Sequence, residues 1–337
     1  MNNPSVYIKS ATQISIQQPL CESWMQEPIV HEVPYVRCSD PSFRDWLSPM
    51  ESRRMGNILR RAVVTASEAI RRSGVSQPDA IVTGTGLGCI DHTEAFLRQL
   101  YEEGEEMPRP TSFMQSTHNT ISSLIAIRHH CHGYNATYSH KHLSFDSALL
   151  DAFIQLRLGD IQTALVTGND EMPPTSFNIL QRAGYVGQPG QVPASEASVA
   201  MMLTTDPDGS LCEIEDIRIL TLPAALPSFS EPLDAILMGL NGHAPHDEVY
   251  RALRQQLPAA PVLRYKHLFG ECLSASALAI YAAAHILAAG TIPAHMSKSV
   301  RRHTPPLEGQ GEVAPVSRLL VVHHSDGHQI SLITLRR

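Results

Sequence analysis

Tyr138-Ser-His-Lys-His142-Leu-Ser144-Phe-Asp-Ser-Ala-Leu-Leu-Asp-Ala-Phe153, followed by Leu158-Gly159-Asp160 and the run Ala164-Leu-Val-Thr-Gly168-Asn-Asp-Glu171, is the stretch that decides the fold. Its apolar spacing predicts a helix over 147–158 and a short buried strand over 162–168. Upstream, Ala80-Ile-Val-Thr-Gly84-Thr-Gly86-Leu-Gly88 reads as a strand entering a glycine turn, with a helix through Phe96 and Leu100 after it. The glycines fit neither the dinucleotide nor the P-loop spacing, so no nucleotide site is expected there.

Working outward, residues 5–16 alternate like a strand and Pro28 to Pro34 reads as a loop. One helix is expected from Met50 to Ser73, its apolar face formed by Met55, Ile58, Leu59, Val63, Val64 and Ala69, with Gly74 ending it. Asn119 to Arg128 predicts a helix, and Ser195 to Leu203 and Asp216 to Leu222 predict strands. The pattern resumes at 233–240, with a helix near 246–256, a strand at Val262, a small-residue helix over 273–289 and a final strand pair at 318–323 and 329–335. Strands alternating with helices favour a mostly parallel sheet covered on both faces.

The 337 residues suit two fused halves or one large α/β unit, and 43% hydrophobic with 18% charged residues argues against disorder. The net charge of −7 gives no general basic footprint for nucleic acid, and Arg53-Arg54 and Arg60-Arg61 read as the solvated face of a helix. No apolar run reaches the roughly 18 residues of a membrane span. Six cysteines scattered without a CxxC pair are those of reduced thiols, and a cytoplasmic protein is expected.

The segment at 138–171 resembles the nucleophile segment of the β-ketoacyl synthases, of the thiolase superfamily. Other landmarks follow in order: Ile81 to Gly88 resembles the family's first glycine turn, Phe113 to Ile127 the helix before the nucleophile strand, Glu196 to Leu203 its Gly-Glu-Gly-Ala strand, and Lys266-His-Leu-Phe-Gly270-Glu271 its Lys-x-x-x-Gly-His motif. The resemblance implies an α/β, thiolase-like fold, internally duplicated and layered αβαβα with mixed sheets. Its halves would be 1–205 and a trimmed 206–337.

Ketosynthase chemistry uses a thiolate at a helix N-terminus and two histidines. Counting back from Gly159-Asp160 places the family's cysteine at His142. With Asp234 and Asp247 matched to the flanking acids, the first histidine falls on Gly239 and the following Thr-Gly-Thr on Asn241-Gly-His243. The second histidine falls on Glu271, and Lys266 is retained. His323-His-Ser-Asp-Gly327-His stands in place of the last glycine loop.

An acyl-imidazole on His142 would hydrolyse readily, and a cation there would face the positive end of a helix. Ser144 reads first as a capping hydroxyl, although His140 or His142 could serve as its base; His243, four residues from position 239, is a candidate to swing in. His129-His130-Cys131-His132 reads as a helix end without a second ligand cluster, and Cys89 and Cys272 as small buried residues. No metal is expected.

The resemblance therefore implies a catalytically degenerate, chain-length-factor-like subunit of the aryl-polyene, polyketide or fatty-acid type. It would pair with an active ketosynthase, or with itself, and shape the tunnel for an acyl chain carried on the phosphopantetheine of acyl carrier protein, with no cofactor of its own. The competing expectation is an acyltransferase or decarboxylase using His142, Ser144 or His243.

Overall fold

The computed structural model describes residues 3–104, 110–297 and 315–337. In chain order its elements are β1 (Val6–Ile14), α1 (Pro49–Arg53), α2 (Asn57–Ser73), β2 (Ala80–Gly84), α3 (Ile90–Glu103), α4 (Pro110–Gln115), α5 (Thr120–Arg128), β3 (Tyr134–Tyr138), α6 (Ser144–Leu158), β4 (Thr163–Asp170), α7 (Pro174–Arg182) and β5 (Ala197–Thr204). The second series is β6 (Cys212–Thr221), β7 (Ala235–Met238), α8 (Ala244–Arg254), β8 (Val262–Arg264), α9 (Lys266–Phe269), α10 (Ala275–Ala289), α11 (Ala294–Ser297), β9 (Arg318–Ser325) and β10 (Gln329–Arg336).

The single helix expected over 50–73 is two. Ser48 starts α1 with a reciprocal capping box to Glu51, and the chain then breaks at Gly56, which takes an extended conformation at the head of α2. A Cβ at Gly56 would stand 2.5 Å from the His92 ring, a tertiary contact that local periodicity does not register. Gly74 ends α2 in the left-handed conformation, as its position predicts.

The strands form one mixed sheet in the order β3-β2-β4-β5-β1-β6-β10-β9-β7-β8. β2 pairs in parallel with β3 and β4, and β7 with β8 and β9, while the pairs in the middle are antiparallel. Numbered from β6, the second five strands run 3-2-4-5-1 from their own edge, the order the first five follow from theirs. The duplication is thus written into the topology, with β1 and β6 meeting at the centre. β7 and β8 are cut to four and three residues, against five each for β2 and β3.

Side-chain alternation sorts the strands into five layers. Ile81, Leu165, Ala200 and Met202 pack outward against α2 and α5, and Ile236, Met238, Leu320 and Val322 pack outward against α8. The intervening residues, among them Val82, Val166, Val199, Leu237 and Val321, face inward onto α6 and α10. α10 is apolar on every side and buried along nearly its whole length, as a helix between two sheet faces must be. No helix among the described residues is long and apolar enough to cross a membrane.

Two glycines bring the central helices onto the sheet. A Cβ at Gly84 would lie 2.4 to 2.5 Å from the backbone of Ser144 and Phe145, and one at Gly168, its register partner, 2.8 Å from the Ala277 methyl and 2.9 Å from the Phe145 ring. Both contacts set the start of α6. Gly84→Ala is therefore expected to lower stability by about 1–3 kcal/mol, read as a shifted urea midpoint with unchanged slope.

Candidate functional site

β3 leads into a 3₁₀ turn at Lys141–Leu143 and then α6. Lys141 has φ +48, a region that side-chain-bearing residues rarely enter, and the sharp turn sets His142 on the wall of a cavity of about 640 Å³. Ser144 ties the turn together: its hydroxyl donates to the Lys141 carbonyl at 2.6 Å and accepts from the His140 amide at 2.8 Å. It is buried and does not line the cavity. His140, one of the two bases considered for it, instead contacts Ser147 Oγ at 3.1 Å and Gln329 Oε1 at 2.6 Å.

Gly239, the position the sequence resemblance matches to the family's first histidine, follows β7. A Cβ there would lie 2.6 Å from the Tyr250 hydroxyl, and 2.9 Å from both Lys266 Cε and the Tyr265 hydroxyl. Three side chains fill the space a residue at 239 would use.

Glu271 accepts both from Lys266 Nζ, at 3.0 and 2.7 Å, and from Asn241 Nδ2 at 2.5 Å. Lys266 is wholly buried. Burial opposes the charge on Glu271, yet the Lys266 ammonium, with lesser help from His246 and His142, holds its carboxyl down to about 2. The Asn241-Gly-His243 loop is pinned by Asp247, whose carboxylate accepts from the amides of Asn241 at 2.9 Å and Gly242 at 3.1 Å. His243 lines the cavity with its ring 6.0 Å from that of Tyr185.

Four further imidazoles surround Lys266 and Glu271. His142 lies 6.4 Å from His323, and His246 4.1 Å from His324, ring centre to ring centre. Burial lowers the pKa of all four, helped by the positive field of Lys266, with His324 pushed down to about 3. His324 shows its neutral tautomer directly: Nδ1 accepts from the Gly327 amide at 3.3 Å, so Nε2 donates to the His246 carbonyl at 3.0 Å. His246 escaped sequence reasoning, and its only signal was the spacing of three from His243 at the start of α8.

These rings have a consequence for stability. A histidine whose folded pKa is depressed contributes stability above its unfolded value near 6.5, and that stability is lost as pH falls toward the folded value. The contribution of these rings to the melting temperature should therefore fall from about pH 6.5 downward, read at each pH as the difference between wild type and His324→Gln, because the raised carboxyls of Asp170 and Glu171 act in the opposite direction over the same range. A difference that does not change between pH 7.5 and 5 would contradict a neutral buried His324.

Asp170 and Glu171 close the cavity from β4. The remaining walls are largely apolar, including Leu87, Met172, Leu180, Val186, Val249 and Leu273. Among the other sequence candidates, His129 Nε2 lies 3.0 Å from Ser67 Oγ, Cys89 is fully buried, and Cys272 reaches the cavity wall but burial pushes its thiol well above the ordinary range.

The family described as β-ketoacyl synthase, N-terminal domain, matches residues 22–222. Among solved structures, the ishigamide ketosynthase/chain length factor superposes with a TM-score of 0.79 at 17% identity over 99% of each chain. A type II PKS acyl-carrier protein complex with its ketosynthase bound to the hexaketide gives 0.77 at 12%, and a β-ketoacyl synthase from Burkholderia phymatum STM815 gives 0.75 at 14%, each again over 99% of both chains. At such identities the likeness is one of fold, and it is the layered, duplicated α/β fold expected from the sequence. No curated protein matches the chain significantly.

Proposed function

The chain belongs to the β-ketoacyl synthase family, and on that premise we propose that it is a non-catalytic, chain-length-factor-like subunit that pairs with an active β-ketoacyl synthase and shapes the cavity for its acyl chain. The observation that carries this reading is the filled space at Gly239. Tyr250, Tyr265 and Lys266 occupy the space that a side chain at 239 would use, and Lys266 is neutralised by Glu271, while the cavity nearby is kept open. A wall made of packed side chains needs no thiolate.

The surface supports pairing. β3 is an edge strand with one unpaired side, and the helices packed beside it expose Ile127, Ile154 and Leu158. An unprotected edge flanked by apolar residues is a template for a second chain. We assign this edge to the ketosynthase partner: Ile127→Arg combined with Leu158→Arg is expected to weaken pairing at least tenfold by analytical ultracentrifugation, without changing the fold. For acyl carrier protein, the fitting surface is the open cavity lined by Arg53, Arg54 and His92, whose lining contains no acid. A phosphodiester arm on an acidic carrier matches it electrostatically.

Intact-mass measurement tests the absence of chemistry. After incubation with acyl carrier substrate, the adduct should appear on the partner's cysteine and not on this chain. One observation favours the second reading, an acyl-transfer or decarboxylating site: His142 lines the cavity, burial lowers its pKa, and its Nδ1 has no hydrogen-bond partner among the described residues. An adduct or turnover that disappears in His142→Ala would establish that reading instead.

A further inference from the structure

One wall of the cavity is a segment bonded almost wholly to itself. Residues 173–191 carry α7, and Leu180, Tyr185 and Val186 from this stretch line the cavity. Its backbone hydrogen bonds close within it: the Ala183 amide donates to the Ile179 carbonyl at 3.0 Å, Tyr185 to Leu180 at 3.0 Å and Gln191 to Gln188 at 3.1 Å. Its side chains do the same, Gln188 Nε2 donating to the Gln181 carbonyl at 2.8 Å and Gln181 Nε2 to the Gly187 carbonyl at 3.3 Å. Among the described residues, the one hydrogen bond it makes to the rest of the fold runs from Thr175 Oγ1 to Glu94 Oε1, at 2.9 Å on the surface.

The chain is fixed on either side of this segment. Before it, the Met172 amide donates to Glu196 Oε1 at 3.2 Å; after it, the Val192 amide donates to the Asn241 carbonyl at 2.9 Å and the Pro193 carbonyl accepts from the Glu271 amide at 2.8 Å. Between these anchors α7, nine residues long, buries only Phe177, although a helix so short depends on tertiary packing for its stability. Phe177 packs in a small cluster with Met172, Val186 and Ala194, separate from the main cores, and its ring stacks on that of Tyr35 at 4.8 Å. Tyr35 stands on the fixed side. Its hydroxyl donates to the Met172 carbonyl, while the Val36 amide donates to the Ala194 carbonyl and the Ala194 amide to the Pro34 carbonyl, each at 2.9 Å. Gly190, beside the second anchor, is left-handed with no atom within 4 Å of where its Cβ would stand, so the backbone is free to turn there.

A stretch that keeps its own hydrogen bonds, has one small apolar foothold and ends at two firm anchors opens as a unit at low cost. We propose that residues 173–191 form a lid over the cavity, held shut by the stack of Phe177 on Tyr35, and that its opening admits an apolar occupant. The exposed ring of Tyr185, 6.0 Å from that of His243, marks where the lid meets the rest of the wall. This rests on the cavity-shaping role proposed above and supplies its way in.

The test is hydrogen–deuterium exchange of the full chain, read by mass spectrometry, together with stopped-flow uptake of the neutral fluorophore N-phenyl-1-naphthylamine. In wild type the amides of α7 should exchange roughly tenfold faster than those of α6, although both are helical. Tyr35→Ala, which removes the catch from outside the segment, should speed exchange over 174–190 by roughly a further tenfold, leave α6 and α10 unchanged, and raise the uptake rate in proportion. Phe177→Ala should do the same, whereas Ile179→Ala, on the exposed face, should change neither. Exchange in α7 as slow as in α6, faster exchange that spreads to α6 and α10 in the variants, or one uptake rate in wild type, Tyr35→Ala and Phe177→Ala overturns the lid alone. A segment that opens as expected on a chain that takes up no fluorophore overturns the entry route and the cavity-shaping reading together.

Discussion

Glu271→Leu is expected to destabilise the chain by about 3–5 kcal/mol, because it strands the Lys266 ammonium in the interior without a counter-charge. Lys266 is fully buried, and the described hydrogen bonds of its ammonium go to the two oxygens of Glu271. Asn241 would also lose the acceptor of its side-chain amide. Lys266→Met should cost about the same, by stranding the carboxylate instead, while the double variant Lys266→Met/Glu271→Leu should recover most of the loss, since an apolar pair of similar volume is often neutral. Urea unfolding of the four proteins gives the cycle directly. Single variants within about 1 kcal/mol of wild type would mean that water reaches the pair, and that the site is more open than its burial implies.

Gly239→His carries the second large effect. Its Cβ alone would collide with Tyr250, Lys266 and Tyr265, and an imidazole beyond it has nowhere to go without moving two buried tyrosines. Overpacking of this kind costs about 1–3 kcal/mol, and more where the neighbours cannot shift. The triple restoration His142→Cys/Gly239→His/Glu271→His combines that clash with an unpaired Lys266. It should give an unstable protein with no condensing or decarboxylating activity, measured by thermal unfolding and by release of carbon dioxide from a malonyl thioester. A stable, active triple variant would show that only three side chains separate this chain from an enzyme. The residues at 142, 239 and 271 are instead expected to be embedded in their surroundings.

Much of the architecture was legible because strand and helix periodicities are local. The alternation of β1, the apolar run of β4, the small-residue helix α10 and the glycine stop after α2 all follow from residues next to one another in the chain. The close approach of His92 to Gly56 at the break was not legible, since His92 comes from across the fold. The same limit applies at the site. Lys266, Glu271 and Asn241 could be placed in one motif set by spacing, but the sequence did not show that they bond to each other, nor that Tyr250 and Tyr265 fill the space at Gly239. Ser144 reads from the sequence first as a capping hydroxyl and second as a nucleophile, and its hydroxyl is committed to the backbone of the turn at His140 and Lys141. Glu171 was read as a family landmark; the rise of its carboxyl to about 8 depends on burial and on Asp91, which is 80 residues away in sequence yet donates its backbone amide to Glu171 Oε1.

The most direct test of the partner-subunit reading is native mass spectrometry of the chain co-expressed with a cysteine-bearing ketosynthase from the same genome, in the presence of acyl carrier substrate. The expected result is a 1:1 complex in which the acyl adduct is carried by the ketosynthase. A chain that stays monomeric beside that partner, or that carries the acyl group itself, would contradict it.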